Sequence, residues 1–219
     1  MDLLEFSRGP ALQFALIVFA FGVAWRLANL LLLPRMQDRS RAREGAPPAY
    51  IASGREIVRR MWPQGAFREA TRFSVVNGYV FHLGLAIIVF GGTPHILFIR
   101  DLFGVSWPGL PTNIINGVSV ITLFSLIAAL GRRLTDPVLR FISTPNDYIS
   151  WAMTFLPVVT GLWAISHIGL RYETLLAIHL LSVAAFLIWF PFGKLMHAFL
   201  VFVSRSTTGN HLAHRGAQL

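Results

Sequence analysis

The chain has 219 residues, of which 54% are hydrophobic and 13% are charged, with a formal net charge of +9. An ordinary soluble domain carries about a quarter of its residues as charges, so this chain has too few polar side chains to cover a water-facing surface. The composition therefore excludes a soluble globular enzyme and predicts an integral membrane protein. Because there is no cysteine, disulfides, thiolate-bound iron–sulfur clusters and Cys-type zinc sites are excluded within the chain.

Five apolar stretches have roughly the 20-residue length that crosses a bilayer. They predict an all-α fold, in which residues 1–219 form a single membrane domain built as a bundle of five transmembrane helices. The predicted spans are Pro10–Leu33, Phe73–Gly92, Thr112–Leu130, Ile149–Ile168 and Thr174–Val203. The first stretch lacks a preceding positive cluster and a small-residue cleavage site, so we expect a retained helix rather than a signal peptide.

The loop charges predict the orientation of the bundle. The connection Pro34–Arg72 contains nine arginines, whereas Thr93–Pro111 contains one. Loops rich in Lys and Arg stay on the cytoplasmic side, so we expect the N-terminus outside and the C-terminus in the cytoplasm, in a bacterial or archaeal inner membrane. The nine are Arg35, Arg39, Arg41, Arg43, Arg55, Arg59, Arg60, Arg68 and Arg72. Because the positive charge serves topology, nucleic acid is a poor candidate partner.

Both of these connections carry further structural expectations. In the basic loop 34–72, Ser53–Met61 predicts a short helix whose Ile57, Val58 and Met61 face lipid headgroups. The alternative is a solvated loop, which is also long enough to form part of a docking face for a cytoplasmic partner. The glycines and prolines of Thr93–Pro111 predict a non-helical connection.

Four histidines lie within or beside the predicted spans: His82, His95, His179 and His197. Histidine inside a membrane is costly unless it faces the bundle interior and has a partner, so each is a candidate functional residue. The spans contain no acidic residue, which favours metal ligation over proton transport. His179 and His197 are 18 residues apart, which in one unbroken helix places both on the same face, roughly 27 Å apart.

The depths of these histidines predict how they pair. His82 lies about 13 Å into the second span from the cytoplasmic side, and His197 approaches the same level from the fifth span. His179 lies nearer the outer side, where its partner is either His95 or His167. In an unbroken helix, His95 would point away from the face that carries His82, so the His95–His179 pair requires a helix break at the neighbouring glycines and proline.

Pairs of neutral imidazoles without cysteine or carboxylate suit haem iron better than zinc, because the porphyrin supplies the other four ligands. No C-x-x-C-H motif is present, so covalent c-type attachment is excluded and haem b is expected, with one or two haems per chain. Arginines at the cytoplasmic helix ends most simply serve topology, and some are candidates to pair with haem propionates. These candidates are Arg26, Arg72, Arg132 and Arg133.

The segment from Ile178-His179-Leu180 to Phe190-Pro191-Phe192-Gly193-Lys194-Leu195-Met196-His197 resembles the last helix of the respiratory nitrate reductase gamma subunit family. Phe81-His82-Leu83-Gly84 is similar to that family's first haem-ligand motif, and Thr93-Pro94-His95 resembles a motif in the following loop. The chain has Gly92 where the family has a further histidine, and the third helix, which begins Pro111-Thr112-Asn113, lacks the lysine associated with the family's quinol site.

The resemblance implies two b haems stacked across the membrane. Together with the depth argument, it makes His82 and His197 the expected ligands of the inner haem, and it makes His179 an expected ligand of the outer haem, with His95 as the candidate partner because Gly92 replaces the family's histidine. It further implies a quinol site near the outer haem and electron transfer to a cytoplasmic iron–sulfur subunit attached to a catalytic subunit. The expected function is therefore that of an electron-transfer subunit. The alternatives are a haem-free membrane anchor that docks a partner through the basic loop, and a small-solute transporter.

Overall fold

The computed structural model describes residues 2–34, 38–63 and 65–217, without the side chain of residue 66. Regular secondary structure in these ranges is entirely helical. In chain order the helices are α1 (Leu3–Leu32), α2 (Ala49–Arg59), α3 (Arg68–Gly91), α4 (Thr93–Phe103), α5 (Thr112–Thr135), α6 (Pro137–Ile142), α7 (Pro145–Ser166), α8 (Tyr172–Trp189) and α9 (His197–Arg215).

Five of the described helices, α1, α3, α5, α7 and α8, are long and apolar enough to cross a membrane. The predicted all-α fold with five apolar helices is confirmed, and it is compatible with a multi-pass membrane bundle. α1 begins seven residues earlier than predicted, because Pro10 is accommodated in a turn of π-helix, Ser7–Ala11, instead of starting the helix. Arg35 of the basic loop lies outside the described residues.

The predicted fifth span Thr174–Val203 is wrong as one continuous helix. α8 ends at Trp189, a 3₁₀ turn covers Lys194–Met196, and α9 then begins at His197. Pro191 has no backbone N–H to continue the helix, and Gly193 adopts an extended conformation with ψ of −178°. His179 and His197 therefore lie on different helices, and the separation of roughly 27 Å expected for one straight helix does not apply.

The predicted non-helical connection Thr93–Pro111 is also wrong, because α4 occupies Thr93–Phe103. Pro94 lies in the first turn of α4, where a missing N–H breaks no helical hydrogen bond. α4 ends at Gly104, whose φ of 74° is a left-handed conformation that glycine adopts without steric cost. The glycines and prolines of this connection thus bound a helix instead of preventing one.

The spanning helices pack in the order α3, α5, α7, α8 and α1, so the second and first spans lie at the two ends of the series. Small residues bring neighbouring helices close together. A Cβ added at Gly84 of α3 would overlap the Thr122 hydroxyl of α5, and a Cβ at Gly22 of α1 would lie 2.6 Å from Pro191. α1 therefore packs directly against the break that separates α8 from α9.

α2 lies along the polar half of α9, so the first connection and the C-terminal helix pack together as one unit. Ala52 and Glu56 are buried in this contact, and Gly209 of α9 lies against both. The predicted helix Ser53–Met61 is confirmed in part: Ser53 is internal to α2, and its hydroxyl donates to the Ser206 carbonyl. Val58 is exposed, as expected for a residue free to face lipid, whereas Ile57 is half-buried.

Glu56 is the charged centre of this unit. Its carboxylate accepts hydrogen bonds from Arg59, at 2.9 Å, and from Arg60, at 2.5 Å. The hydrogen bond from Arg59 outweighs the opposing effect of burial and, together with the bond from Arg60, lowers the pKa of Glu56 to about 2. The buried carboxylate is therefore ionised and paired at neutral pH.

Candidate paired-histidine sites

His82 of α3 and His197 at the start of α9 face one another. Their ring centroids lie 5.9 Å apart, and the two ring planes are nearly perpendicular, at 86°. Both side chains are exposed in the folded chain, and the His82 ring also stacks on Phe81. The helix break at Pro191 is what brings His197 to this position, because it ends α8 and starts a new helix at the histidine itself. The structure thus brings together the predicted inner pair.

His95 of α4 and His179 of α8 form a second facing pair. Their ring centroids lie 6.3 Å apart, with an angle of 52° between the ring planes. The break between α3 and α4 turns His95 towards His179, because α3 ends at Gly91 and a new helix begins at Thr93. The structure thus also brings together the predicted outer pair.

His167, the other candidate partner of His179, is not in this pair. It follows the end of α7 with a φ of 56°, and its ring stacks on Tyr172 with centroids 5.1 Å apart. The predicted span Ile149–Ile168 placed it inside a helix, but α7 ends at Ser166.

Both separations match two imidazoles that hold one metal from opposite sides. A metal–nitrogen bond of about 2 Å, added to about 1.1 Å from a ring nitrogen to the ring centre, puts two such imidazoles about 6 Å apart, centre to centre. No hydrogen bond joins the two rings of either pair, and all four histidines belong to the described part of the chain. The distance in each pair is thus too long for a direct bond and suits an atom between the rings.

The hydrogen bonds that each imidazole makes indicate which of its two nitrogens is available to bind a metal. Nδ1 lies 2.7 Å from the Gly78 carbonyl in His82, 2.9 Å from the Ile88 carbonyl in His95 and 2.8 Å from the Lys194 carbonyl in His197. A carbonyl oxygen only accepts, so these Nδ1 atoms carry a proton, and in the neutral ring it is Nε2 that holds the lone pair. Metal-bound histidines are typically oriented by such a bond from the second ring nitrogen.

His179 differs from the other three because its Nδ1 faces a hydroxyl. Thr160 Oγ1 of α7 lies 3.2 Å from this nitrogen, and it also lies 2.8 Å from the Ser182 hydroxyl. The Thr160 hydroxyl lies 2.7 Å from the Leu156 carbonyl and donates to it, which leaves its oxygen free to accept from the imidazole. Gly161 permits the approach of the two helices, since a Cβ there would lie 3.2 Å from the His179 ring.

The donor set fits haem better than a metal held by the protein alone. Among the described residues, no cluster of three or more His, Cys, Asp or Glu side chains is close enough to hold a metal ion. Each site therefore offers two imidazoles, as an iron atom requires when a porphyrin supplies its other four ligands. A structural zinc ion would need four protein ligands.

The four arginine candidates for propionate pairing have different surroundings. Arg26 lines a cavity of about 690 Å³ together with His197. Arg133 donates to the Ser143 hydroxyl and pairs with Asp147 at 3.1 Å, while Arg132 donates to the Ala70 carbonyl and lies over the Phe73 ring. Arg72 is exposed. Of the four, Arg26 is the one whose cavity also contains a paired histidine.

Sequence reasoning missed several residues that surround the paired histidines. Lys194 lines the same cavity as Arg26 and His197, and its carbonyl orients His197. Lys194 lies three residues before His197 in a segment that contains proline and glycine, and this position could have indicated its proximity to the site. Thr160 carried no such signal, because it contacts His179 across two helices and 19 positions of sequence.

Comparison with known proteins identifies a relative of this chain over nearly its full length. A protein of Nitratidesulfovibrio vulgaris (strain Hildenborough), described only as "Protein", is 30% identical to this chain over 210 residues, which are 93% of this chain and 91% of the relative. The chain matches no described protein family, and no solved structure matches it. The similarity extends over nearly the full length of both proteins, so the chain belongs to the same family as this Nitratidesulfovibrio protein.

Proposed function

We propose that the chain is the haem b-containing membrane subunit of a respiratory oxidoreductase complex, and that it transfers electrons between the quinone pool and a cytoplasmic iron–sulfur and catalytic partner. The observation that carries this proposal is the pair of facing histidines at 5.9 Å and the second pair at 6.3 Å. The resemblance of the second and fifth spans to the respiratory nitrate reductase gamma subunit family supports the same assignment.

His82 and His197 hold the inner haem in this proposal, and His179 and His95 hold the outer one. Carbonyls orient three of these rings and a threonine hydroxyl contacts the fourth, so in their neutral form the rings would present Nε2 to the iron. When bound, haem b supplies a low-spin iron that has no open coordination position and carries one electron at a time. Two histidines per site thus favour electron transfer over oxygen activation.

The two pairs lie at different depths. His82 is nine residues before the end of α3 at Gly91, which corresponds to about 14 Å of helix rise, and His95 lies just beyond that end. Electrons from a quinol oxidised near the outer pair would therefore pass inward through the second pair. Arg26, in the cavity beside His197, is the cation placed to hold a propionate group at the inner site.

The orientation in the membrane follows from the charges. The basic connection that includes α2 packs along α9, and lysine- and arginine-rich segments remain cytoplasmic. The α2–α9 unit then faces the cytoplasm and the N-terminus lies outside, in the inner membrane of a bacterium or archaeon. This unit is where a cytoplasmic iron–sulfur partner would dock.

The deciding experiment is the haem content of the purified, detergent-solubilised protein, measured as haem b per chain together with a reduced-minus-oxidised spectrum. We expect two haems in the wild type. His82→Ala and His197→Ala should each remove the same haem, whereas His95→Ala and His179→Ala should each remove the other.

His167→Ala is the matched control, because His167 stacks on Tyr172 outside both pairs and its substitution should leave both haems in place. A wild-type protein without haem, produced in cells with ample haem, would refute the proposal and favour the anchor or transporter. Full haem content in all four ligand variants would also refute the assignment of ligands.

A further inference from the structure

Polar side chains at the start of α7 hold both sides of the break between α8 and α9. The Trp189 indole N–H, on the upstream side, donates to the Ser150 hydroxyl at 3.0 Å. The backbone N–H of Lys194, on the downstream side, lies 2.9 Å from Asn146 Oδ1 and 3.2 Å from Ser150 Oγ. Ser150 is buried, and its own hydroxyl donates to Asn146 at 3.1 Å.

These contacts replace backbone bonds that the break removes. In a continuous helix the amide of Lys194 would donate to the carbonyl four residues earlier, at Phe190. The break takes that acceptor away, and a backbone N–H without a partner is costly at membrane depth. Asn146 supplies the missing acceptor from a neighbouring helix.

Lys194 connects this contact directly to His197. Its amide is held by Asn146, and its carbonyl lies 2.8 Å from Nδ1 of His197. The Lys194 ammonium group also pairs with Asp147 at 2.5 Å, and that carboxylate is largely buried, with 8% of its side chain exposed. Two successive hydrogen bonds thus run from the first turn of α7 to the imidazole that faces His82.

We propose that Asn146 is a positioning residue for His197: it holds the break through the Lys194 amide and thereby aims the His197 ring at His82. This inference rests on the proposed function, because the ring is aimed at a haem. The second pair gives an internal reference, since His95 and His179 are held by the Ile88 carbonyl and by Thr160, neither of which contacts Asn146.

The test compares Asn146→Leu, which removes the acceptor at similar volume, with Asn146→Asp, which keeps an oxygen at the same place. Asn113→Leu is the matched control, because Asn113 also lies in the first turn of a span, and its side chain accepts from the next residue, Ile114, rather than from a neighbouring helix. If Asn146→Leu does not fold, Ser150→Ala removes the buried hydroxyl that both Trp189 and Lys194 contact.

Two measurements read out the effect. Transfer of haem to apomyoglobin should be faster from the inner site of Asn146→Leu, by up to about the 10- to 100-fold by which affinity falls when the direct partner of a metal-bound histidine is removed, and unchanged from the outer site. Amide exchange across residues 190–196, followed by mass spectrometry, should also be faster. Asn146→Asp should restore both rates, and Asn113→Leu should alter neither.

The outcomes separate this inference from the proposed function. A wild-type protein without haem overturns the function. With two haems in the wild type, unchanged haem transfer and amide exchange in Asn146→Leu and Ser150→Ala overturn the positioning role alone. Equal weakening of both haem sites overturns it as well, because a loss of general stability would act on both.

Discussion

Thr160 should tune the proposed outer haem through its contact with His179, and Thr160→Val tests this at nearly constant volume. The hydroxyl oxygen lies 3.2 Å from Nδ1 of His179, and because the hydroxyl donates to the Leu156 carbonyl, its oxygen is free to accept the imidazole N–H. A ring that donates from Nδ1 is a more basic ligand at Nε2, and a more basic ligand stabilises oxidised iron. Loss of this hydrogen bond should therefore raise the reduction potential of the outer haem.

The size of the shift follows from the strength of the bond. A neutral hydrogen bond contributes about 0.5–1.5 kcal/mol net, and at 3.2 Å this one belongs in the lower half of that range. For one electron, a tenfold change in equilibrium constant corresponds to about 59 mV. A tenfold change is also about 1.4 kcal/mol, and only the difference in hydrogen-bond strength between oxidised and reduced haem moves the potential, so the whole bond sets a ceiling and we expect a rise of no more than about 20–40 mV.

A spectroelectrochemical titration of both haems measures this shift, and Thr154→Val is the matched control. Thr154 lies on the same helix and donates to the carbonyl four residues earlier, at Ser150, just as Thr160 donates to Leu156. An unchanged outer potential in Thr160→Val would refute the reasoning. An equal shift of both haems, or an equal shift in Thr154→Val, would show that the effect is not transmitted through His179.

Three further predictions concern packing and charge. Gly84→Ala should lower the thermal unfolding temperature in detergent, because the added Cβ would overlap the Thr122 hydroxyl, whereas Gly117→Ala, with open space at its Cβ, should not. Gly22→Ala should displace the helix break, because the added Cβ would lie 2.6 Å from Pro191, and should alter the spectrum of the proposed inner haem but not of the outer one. An unaltered spectrum would contradict the close contact of α1 with Pro191. Hydrogen bonds from Arg59 and Arg60 lower the pKa of Glu56 to about 2 from an ordinary value of 4.5. The ionised carboxylate therefore stabilises the folded protein fully above pH 4.5, and this stabilisation is lost as the pH falls from 4.5 towards 2. Amide exchange in α2 should rise over that interval, and Glu56→Gln should abolish the pH dependence; an unchanged profile would show that the carboxylate does not hold α2 on α9.

The apolar helices and the histidines show which features of this protein can be predicted from local sequence patterns. Hydropathy located all five apolar helices, because the length needed to cross a bilayer is a local property of the chain. The inner pairing was predictable from depth, since each histidine's distance from a span end can be counted, whereas the partner of His179 stayed open between His95 and His167 until the tertiary structure placed His95 beside it. Ligation by these histidines stays a prediction, which the haem measurements above decide.

The helix breaks were harder to predict because a proline or glycine does not by itself say whether a helix bends, stops or restarts. Pro10 is absorbed into a π-helical turn, Pro94 starts a helix, and Pro191 ends one. The difference lies in whether neighbouring groups satisfy the freed backbone, as Asn146 does for Lys194.

By itself, the sequence determined the apolar character of the chain, its five apolar helices and the four histidines that lie in or beside them. Composition and spacing can be counted along the chain without any knowledge of how it folds. Only the tertiary structure decided that α2 packs on α9, that Thr160 orients His179 and that the start of α7 holds the break before His197. Each of these contacts joins positions far apart in sequence. Their partners are chosen by helix packing and by the need to satisfy polar groups away from water, which no local pattern contains.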